Sequence, residues 1–494
     1  MVLLVILSSA SVWAQAPRFQ NVHRLEVPGS ITATVTANGY VYVAGGLVRW
    51  RKGPLRAHGG DGPPHTGYNA FVAKWNPTTH RLVWLKEMGR QPGGADQATA
   101  LVVRGSNVYV LGSFEQESEG FGHPIKSAFG LDLFVARLTD HGSRATAEWT
   151  QPLGYAVNSV TETVSPQANH LACEGSALYV AGTTDTEPST WDPATGTKVP
   201  NIKRAFVAKL TDAGARCTPI WKRTWVVDRS YYDIVTLTSQ QGKLYLGTNS
   251  WQPTPDREEP TSTLKVGALP RNANYRLHFT QFSDQGSRYH LDWTHTEAGQ
   301  GAGVAVAGNA FYIVGREDAD QSFGQTSQPA NAHDVPGDLF VAKLVLTNTT
   351  VRPAWVQRLR GTGHDEYATL ACIAIGGRHV YVAGTFGTPS LSVGATVINP
   401  KAFSPVNDSE ADLFVAQLTD AGVAASFDWA QRLGGTYNDH LRAFSLVGSR
   451  LYVSGFFDGD FGSPILFGKQ QFLLQEDSGI LPEVLLQAWL PLTK

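Results

Sequence analysis

One short pattern returns through the whole chain and limits what it can become. An apolar-Tyr-apolar strand places Tyr42, Tyr109, Tyr179, Tyr245, Tyr312, Tyr381 and Tyr452 at intervals of 67, 70, 66, 67, 69 and 71 residues. Glycine closes each copy, at Gly45, Gly112, Gly182, Gly247, Gly315, Gly384 and Gly455. Self-similarity at a near-constant period marks a solenoid, an array or a propeller, in which each unit is one supersecondary element that its neighbours must cover. Each unit reads as four short runs rich in β-branched and aromatic residues and bounded by Gly, Asn and Asp. Such runs are strands. They are apolar on both sides, as expected of sheets sandwiched between neighbours. No apolar stripe of helical period is long enough for a substantial helix.

Two further landmarks recur in order. The third run repeats as LFVARL at 133–138, FVAKL at 206–210, LFVAKL at 339–344 and LFVAQL at 413–418. Before the fourth run come Asp140-His-Gly142, Asp212-Ala-Gly214, Asp284-Gln-Gly286 and Asp420-Ala-Gly422. In each, Trp follows seven residues after the glycine, at Trp149, Trp221, Trp293 and Trp429. Aspartate opens such a turn with a side-chain hydrogen bond and glycine takes the positive φ, so the motif reads as turn chemistry. The Trp and Tyr rows are expected to fill the space between units.

With these landmarks the chain resembles the bacterial secreted β-propeller repeat family (SBBP-type repeats) over about residues 19–490. The resemblance implies an all-β, seven-bladed β-propeller with four antiparallel strands per blade, and implies no single activity. The third run departs from the pattern in the fourth unit (LHFTQF, 277–282) and in the seventh (read as FLLQED, 472–477). The expected blades span roughly 19–83, 84–148, 149–220, 221–292, 293–354, 355–428 and 429–494, within one domain of residues 15–494. Fourth-strand-like segments number one too many, from Phe19–Val27 to the tail around Trp489. One terminus should therefore complete a blade made mostly by the other, with the remaining segment packed outside.

Residues 1–14 read as a signal peptide: an apolar run, VLLVILSSASVWA, ends in small residues with a cleavage site after Ala14. A secreted, cell-surface or periplasmic location is therefore expected. Nothing later approaches the ~18 apolar residues of a spanning helix, so no membrane span is expected. With 40 basic and 42 acidic residues and no basic block, the footprint of a nucleic-acid binder is missing. A monomer is expected. The chain has three cysteines. Cys173 and Cys217 fall in one repeat, where a bridge between them is conceivable only within the short reach of a disulfide.

Function is expected on one face. The inserts between second and third runs vary greatly and share that face with the loops entering each first run. Variable loops on a rigid scaffold are where specificity usually resides. Two constellations lie there. Asp96, Asp233, Asp365 and Asp439 precede first runs, the last two beside His364 and His440. Carboxylates converging on a channel mouth bind a cation or serve as general acid and base; alternatively each caps its own turn. Trp50, Trp191 and Trp251 lie within long inserts, where exposed aromatics stack on sugars or anchor a protein. No cofactor is expected. Calcium is the one candidate, at DGDFG (458–462), which lacks the downstream Glu of a calcium loop. P-loop, GxSxG, HExxH and dinucleotide motifs are absent. The leading expectation is a non-catalytic scaffold binding a protein or glycan. The alternatives are a polysaccharide hydrolase or lyase using the channel-mouth carboxylates, and a purely structural surface or matrix protein.

Overall fold

The computed structural model describes residues 20–24, 29–48, 68–79, 81–89, 96–154, 167–185, 190–191, 198–199, 203–227, 232–251, 275–317, 323, 339–347, 350–361, 369–387, 389–399, 412–434, 439–448, 450–457, 464–467, 470–473 and 485–491. Among them there are strands and turns but no helix. The chain is an all-β propeller of four-stranded blades, each an antiparallel meander.

The first blade runs Gly29–Ala37, Tyr40–Val48, Tyr68–Asn76 and Arg81–Met88. The second is Gln97–Arg104, Asn107–Ser118, Ile125–Asp140 and Ala145–Pro152. The third is Gln167–Glu174, Ala177–Asp185, Lys203–Asp212 and Cys217–Val226. The fourth is Tyr232–Gln240, Lys243–Trp251, Tyr275–Asp284 and Tyr289–Ala298. The fifth is Gln300–Ala307, Ala310–Arg316, Leu339–Leu346 and Val351–Gly361, and the sixth Thr369–Gly376, His379–Phe386, Asp412–Asp420 and Ala425–Gly434. Each Trp-bearing strand therefore completes the sheet that precedes it.

The closing blade draws on both ends of the chain. Asp439–Val447, Arg450–Phe457 and Leu485–Pro491 supply three strands, and Gln20–Arg24 pairs outside the last of them. The N-terminal strand thus completes a blade made mostly by the C-terminal part, as expected. The rest of that expectation needs correction. The Trp489 segment lies inside the sheet, with Trp489 opposite Tyr452, and is a third strand rather than a surplus fourth. Phe472 and Leu473, read as the start of the seventh unit's third strand, lie elsewhere: Gln470–Leu473 pairs with Pro464–Phe467, and this ribbon extends the outer edge of the sixth blade. A second ribbon, Leu391–Val393 with Thr396–Ile398, extends the fifth blade in the same way. Both inserts reach backward, covering a sheet edge that would otherwise offer unpaired backbone groups.

Strand alternation explains where the core sits. Side chains point to opposite faces along each strand, so one set from a blade meets the next blade and the other set meets the previous one. The clusters accordingly lie between blades. Tyr42, Ala44, Val72 and Trp84 of the first blade pack with Leu101, Val108 and Val110 of the second. Tyr312, Val341 and Trp355 of the fifth pack with Val380, Val382 and Phe414 of the sixth. The rows of Tyr and Trp expected to fill these seams do so: Tyr42, Tyr109 and Tyr179 are fully buried. Burying each such ring contributes about 2–3 kcal/mol.

The innermost strands touch in succession around the molecule, and Gly29–Ala37 meets both Gln97–Arg104 and Asp439–Val447. Thr36 donates through its hydroxyl to Leu446 O at 3.1 Å across that last junction. Between the first and second strands of every blade the register slips at one equivalent point, as at Ile31/Ala33, Ala98/Ala100 and Leu441/Ala443. A bulge there sharpens local twist. The suggested Cys173–Cys217 bridge is absent: both thiols and Cys372 are free.

Candidate functional site

The long-loop face is where second strands run out into their inserts and where first and third strands begin. Asp96 opens the innermost strand of the second blade and is 1% exposed. Its carboxylate accepts from Glu115 N at 3.0 Å and from Ser118 Oγ at 2.9 Å. Burial pushes its pKa up to about 6, against the pull of those two hydrogen bonds. This carboxylate clamps the extended second strand to the entry of the first. Asp439 holds the equivalent position in the closing blade and is fully buried.

Gly434 shows what surrounds Asp439. A side chain there would stand 2.2 Å from Asp412 Oδ1 and 2.3 Å from Asp439 Oδ2. Two buried carboxylates therefore face the same small gap, which only glycine leaves open. Arg432 Nη1 donates to Asp412 Oδ2 at 2.9 Å and supplies the compensating charge. Sequence reading missed Asp412, although its signal was present: Asp precedes Leu-Phe at 132, 338 and 412.

The other expected residues are placed more sparingly. Asp233 is the second residue of the innermost strand of the fourth blade and is exposed. His440 lies in the strand Asp439–Val447, Trp191 in the ribbon Thr190–Trp191, and Trp251 at the end of Lys243–Trp251, where it pairs with Tyr275. The side chains of these three, and the whole of Trp50, His364, Asp365 and the 458–462 calcium candidate, lie outside the described residues. Asp96 and Asp439 belong to different blades and are not brought into one cluster. Among the described residues, no group of three or more His, Cys, Asp or Glu is arranged to hold a metal.

The turn aspartates do more than turn chemistry, and this is the main feature that reading the sequence missed. Asp140 accepts from Gly142 N of its own turn at 2.9 Å. It also accepts from three side chains of the preceding blade: Tyr42 Oη at 2.6 Å, Lys74 Nζ at 2.7 Å and Trp84 Nε1 at 3.1 Å. Asp420 repeats the set with Tyr312, Lys343 and Trp355 at 2.7, 2.7 and 2.9 Å. Asp212 takes Tyr109, Arg137 and Trp149, and Asp284 takes Tyr179 and Lys209. Burial alone would raise the Asp420 pKa, yet these hydrogen bonds, Lys343 foremost, hold it down at about 2. Each turn aspartate clasps one blade to the next.

Three seams lack that clasp, one of them between the closing and first blades, where the first blade turns at Asn76. The fifth blade turns at Thr347–Thr350 without an aspartate, and the closing blade has its last strand from the N-terminus. In the blades before them, the clasp lysine is replaced by Gln281 and Gln417. Each donates within its own sheet, Gln281 Nε2 to Asp292 at 2.6 Å and Gln417 Nε2 to Asp428 at 2.8 Å. The basic residue is present where the next turn offers an acid and absent where it does not.

The fourth blade carries a second departure. His278 stands where its siblings have the buried Phe71, Phe134, Phe206, Phe340 and Phe414. Its ring bridges Ser250 Oγ at 2.8 Å and Thr296 Oγ1 at 3.0 Å. The signal was legible as the break in pattern at LHFTQF.

No family model matches the chain, and no curated protein matches it. Solved structures do. The β-propeller domain of the Trilobed protease from Pyrococcus furiosus aligns at 8% identity and TM-score 0.40, covering 91% of this chain and 96% of that one. Drosophila Semaphorin 1b, extracellular domains 1–2, aligns at 8% identity and TM-score 0.44, with 97% and 87% covered. Trypanosoma rangeli sialidase aligns at 9% identity and TM-score 0.31, with 79% of this chain and 53% of that one covered. The chain also spans about half of Pyrococcus horikoshii acylaminoacyl peptidase, 53% of that chain, at TM-score 0.39.

Proposed function

We propose that the chain is an exported, seven-bladed propeller of the secreted repeat type, occupying residues 15–494 after removal of residues 1–14. It binds a protein or a glycan through its long-loop face, and its channel-mouth carboxylates do no chemistry. Five four-stranded and two six-stranded sheets, with innermost strands in contact in succession, support the count of seven. The observation that carries the binding reading is the use made of Asp96. A carboxylate buried and held by a backbone N–H and a hydroxyl positions a loop base; it is not presented to a substrate. The loops it supports differ from blade to blade, as specificity requires.

A polysaccharide hydrolase or lyase is the second reading, favoured by the pairing of Asp412 with Asp439. Paired carboxylates whose environments push their pKa values apart are how such enzymes divide acid from base. One experiment separates the readings: a glycan array and a broad hydrolase screen on the wild type, on Asp365→Asn/Asp439→Asn and on Trp191→Ala/Trp251→Ala. Binding that survives the first variant and fails in the second supports the proposal. Turnover abolished in the first variant overturns it in favour of the enzyme. Neither signal in the wild type leaves the structural scaffold as the reading.

A further inference from the structure

The fourth blade replaces a buried phenylalanine with a hydrogen-bonded chain of reactive groups. Elsewhere the equivalent cross-strand pairs are Phe71–Glu87, Phe340–Arg358 and Phe414–Arg432. In the fourth blade the pair is His278–Thr296. Ser250, two residues beyond the His278 partner Thr248 on the second strand, reaches the ring from the side.

All three residues lie near the ends of their strands at the long-loop face: Ser250 is one residue short of the end of Lys243–Trp251, His278 is near the start of Tyr275–Asp284, and Thr296 is near the end of Tyr289–Ala298. Alternation places them in the seam with the third blade. His278 shares a face with Phe282, which packs among Tyr179, Ala181 and Val207, whereas Leu277 and Phe279 face the fifth blade. Ser250, His278 and Thr296 are each half-buried, so the group borders solvent at the rim of the seam.

We propose that Ser250 is a nucleophile activated by His278, with Thr296 as a positioning residue, forming an acyl-transfer site that takes activated carboxylic esters. A nucleophile and a base within hydrogen-bond reach, the base oriented by a third group, is the geometry this chemistry needs. The assignment requires His278 to carry its proton on Nδ1, donating to Thr296 Oγ1, and to accept from Ser250 Oγ–H at Nε2. Burial lowers the His278 pKa to about 4, with the Arg276 charge acting in the same direction, so the ring is neutral and able to accept at neutral pH.

In the step, Ser250 Oγ bonds to the ester carbonyl carbon as its proton passes to Nε2. The alkoxy bond then breaks, and the leaving alcohol takes that proton. An acyl-serine remains, which water hydrolyses through the same histidine. Thr296 is neutral and gives the imidazolium no charge partner, which slows both steps; the good leaving group of an activated ester offsets this in acylation alone, so the acyl-serine accumulates. This inference adds a reactive serine to a face read above as non-catalytic, and it stands separately from that reading.

The test uses the full chain with p-nitrophenyl acetate and a fluorophosphonate probe. Expected results are a burst of about one equivalent of p-nitrophenol, and a single phosphonylated peptide containing Ser250. Ser250→Ala loses both. His278→Gln slows labelling by ~10²-fold or more, and Thr296→Val slows it about tenfold, with melting transitions retained. The wild-type labelling rate should fall as pH drops through about 4, well below the range of a free imidazole. Absence of a burst from folded wild type, a label on another residue, or equal labelling of His278→Gln and Thr296→Val overturns the proposal. If His278→Gln fails to fold, Thr296→Val and the pH profile decide it.

Discussion

The seam between the fifth and sixth blades and the seam between the fourth and fifth use the same aromatic framework and different polar chemistry. In the first, Tyr312, Lys343 and Trp355 converge on Asp420 of the next blade. In the second, Tyr245, Gln281 and Trp293 occupy the same positions. Gln281 turns back to Asp292 on its own sheet, and Trp293 Nε1 is buried without a hydrogen-bond partner. The apolar filling is similar, so the difference isolates what an ionic clasp adds. A buried charge cannot be left alone, which makes the clasp cooperative: neither the acid nor the base can be removed by itself.

The contrast can be broken most forcefully at the rings. Trp355→Ala removes a 6%-exposed ring together with its bond to Asp420. It should cost about 3–5 kcal/mol, read as a lowered Tm. Trp293→Ala at the unclasped seam should cost less, because that ring is only half-buried. An unchanged Tm for Trp355→Ala would remove the row from the core. Next comes the charge. Asp420→Asn leaves Lys343 buried without its partner and should cost about 3 kcal/mol, whereas Asp292→Asn, which removes no cross-blade contact, should cost about 1 kcal/mol. Equal effects in urea unfolding would show that the two seams are equivalent.

Acid sharpens the comparison further. Asp420 has its pKa lowered from 3.8 to about 2, and Asp140 and Asp284 are lowered as well. A depressed carboxylate contributes stability that is present above its unfolded pKa and lost as pH falls through its folded one. The clasps should therefore weaken as pH drops from about 4 to about 2. His170 and His278 are lowered from 6.5 to about 4 by burial. Charging a buried imidazole opposes folding, so their contribution is present above 6.5 and is lost as pH falls from there to about 4. Both sit in the third blade's seam with the fourth, and His170→Gln should flatten the stability profile across that upper window by about 2–3 kcal/mol. An unaltered slope there would exclude the histidine as its source. The smallest effect is a control: Lys126→Ala breaks an ion pair whose side chains are 75% and 47% exposed, and should shift stability by under about 0.5 kcal/mol.

The architecture was legible in the sequence because a propeller writes its core as a repeat. Tyr42 and its equivalents mark the second strands, and the LFVAKL runs mark the third. The clasp was not legible as such, because its halves are far apart: Lys74 and Asp140 are 66 residues apart and belong to different units. Read singly, Asp140 satisfies its turn completely, since Gly142 N already bonds to it. What could have shown it was the joint substitution of Lys by Gln in the units preceding a turn without Asp. Trp489 misled for a related reason. In the other blades Trp marks the fourth strand, but in the closing blade it stands opposite Tyr452, where Lys74 stands opposite Tyr42. For the candidate site, the position of Asp96 at a strand entry was legible. Its burial was not, because Ser118 and Glu115 reach it from an insert whose path the repeat does not encode.

The closing blade sets an order of events. Its outer strand, Gln20–Arg24, is made before all the other described strands, and the strand it pairs with, Leu485–Pro491, after all of them. The circle therefore cannot lock until Leu485–Pro491 has been made, and until then one flank of the molecule has no permanent neighbour. Any cut or insertion that disturbs either strand acts on the same junction, so damage at residue 22 and damage at residue 488 should have one phenotype.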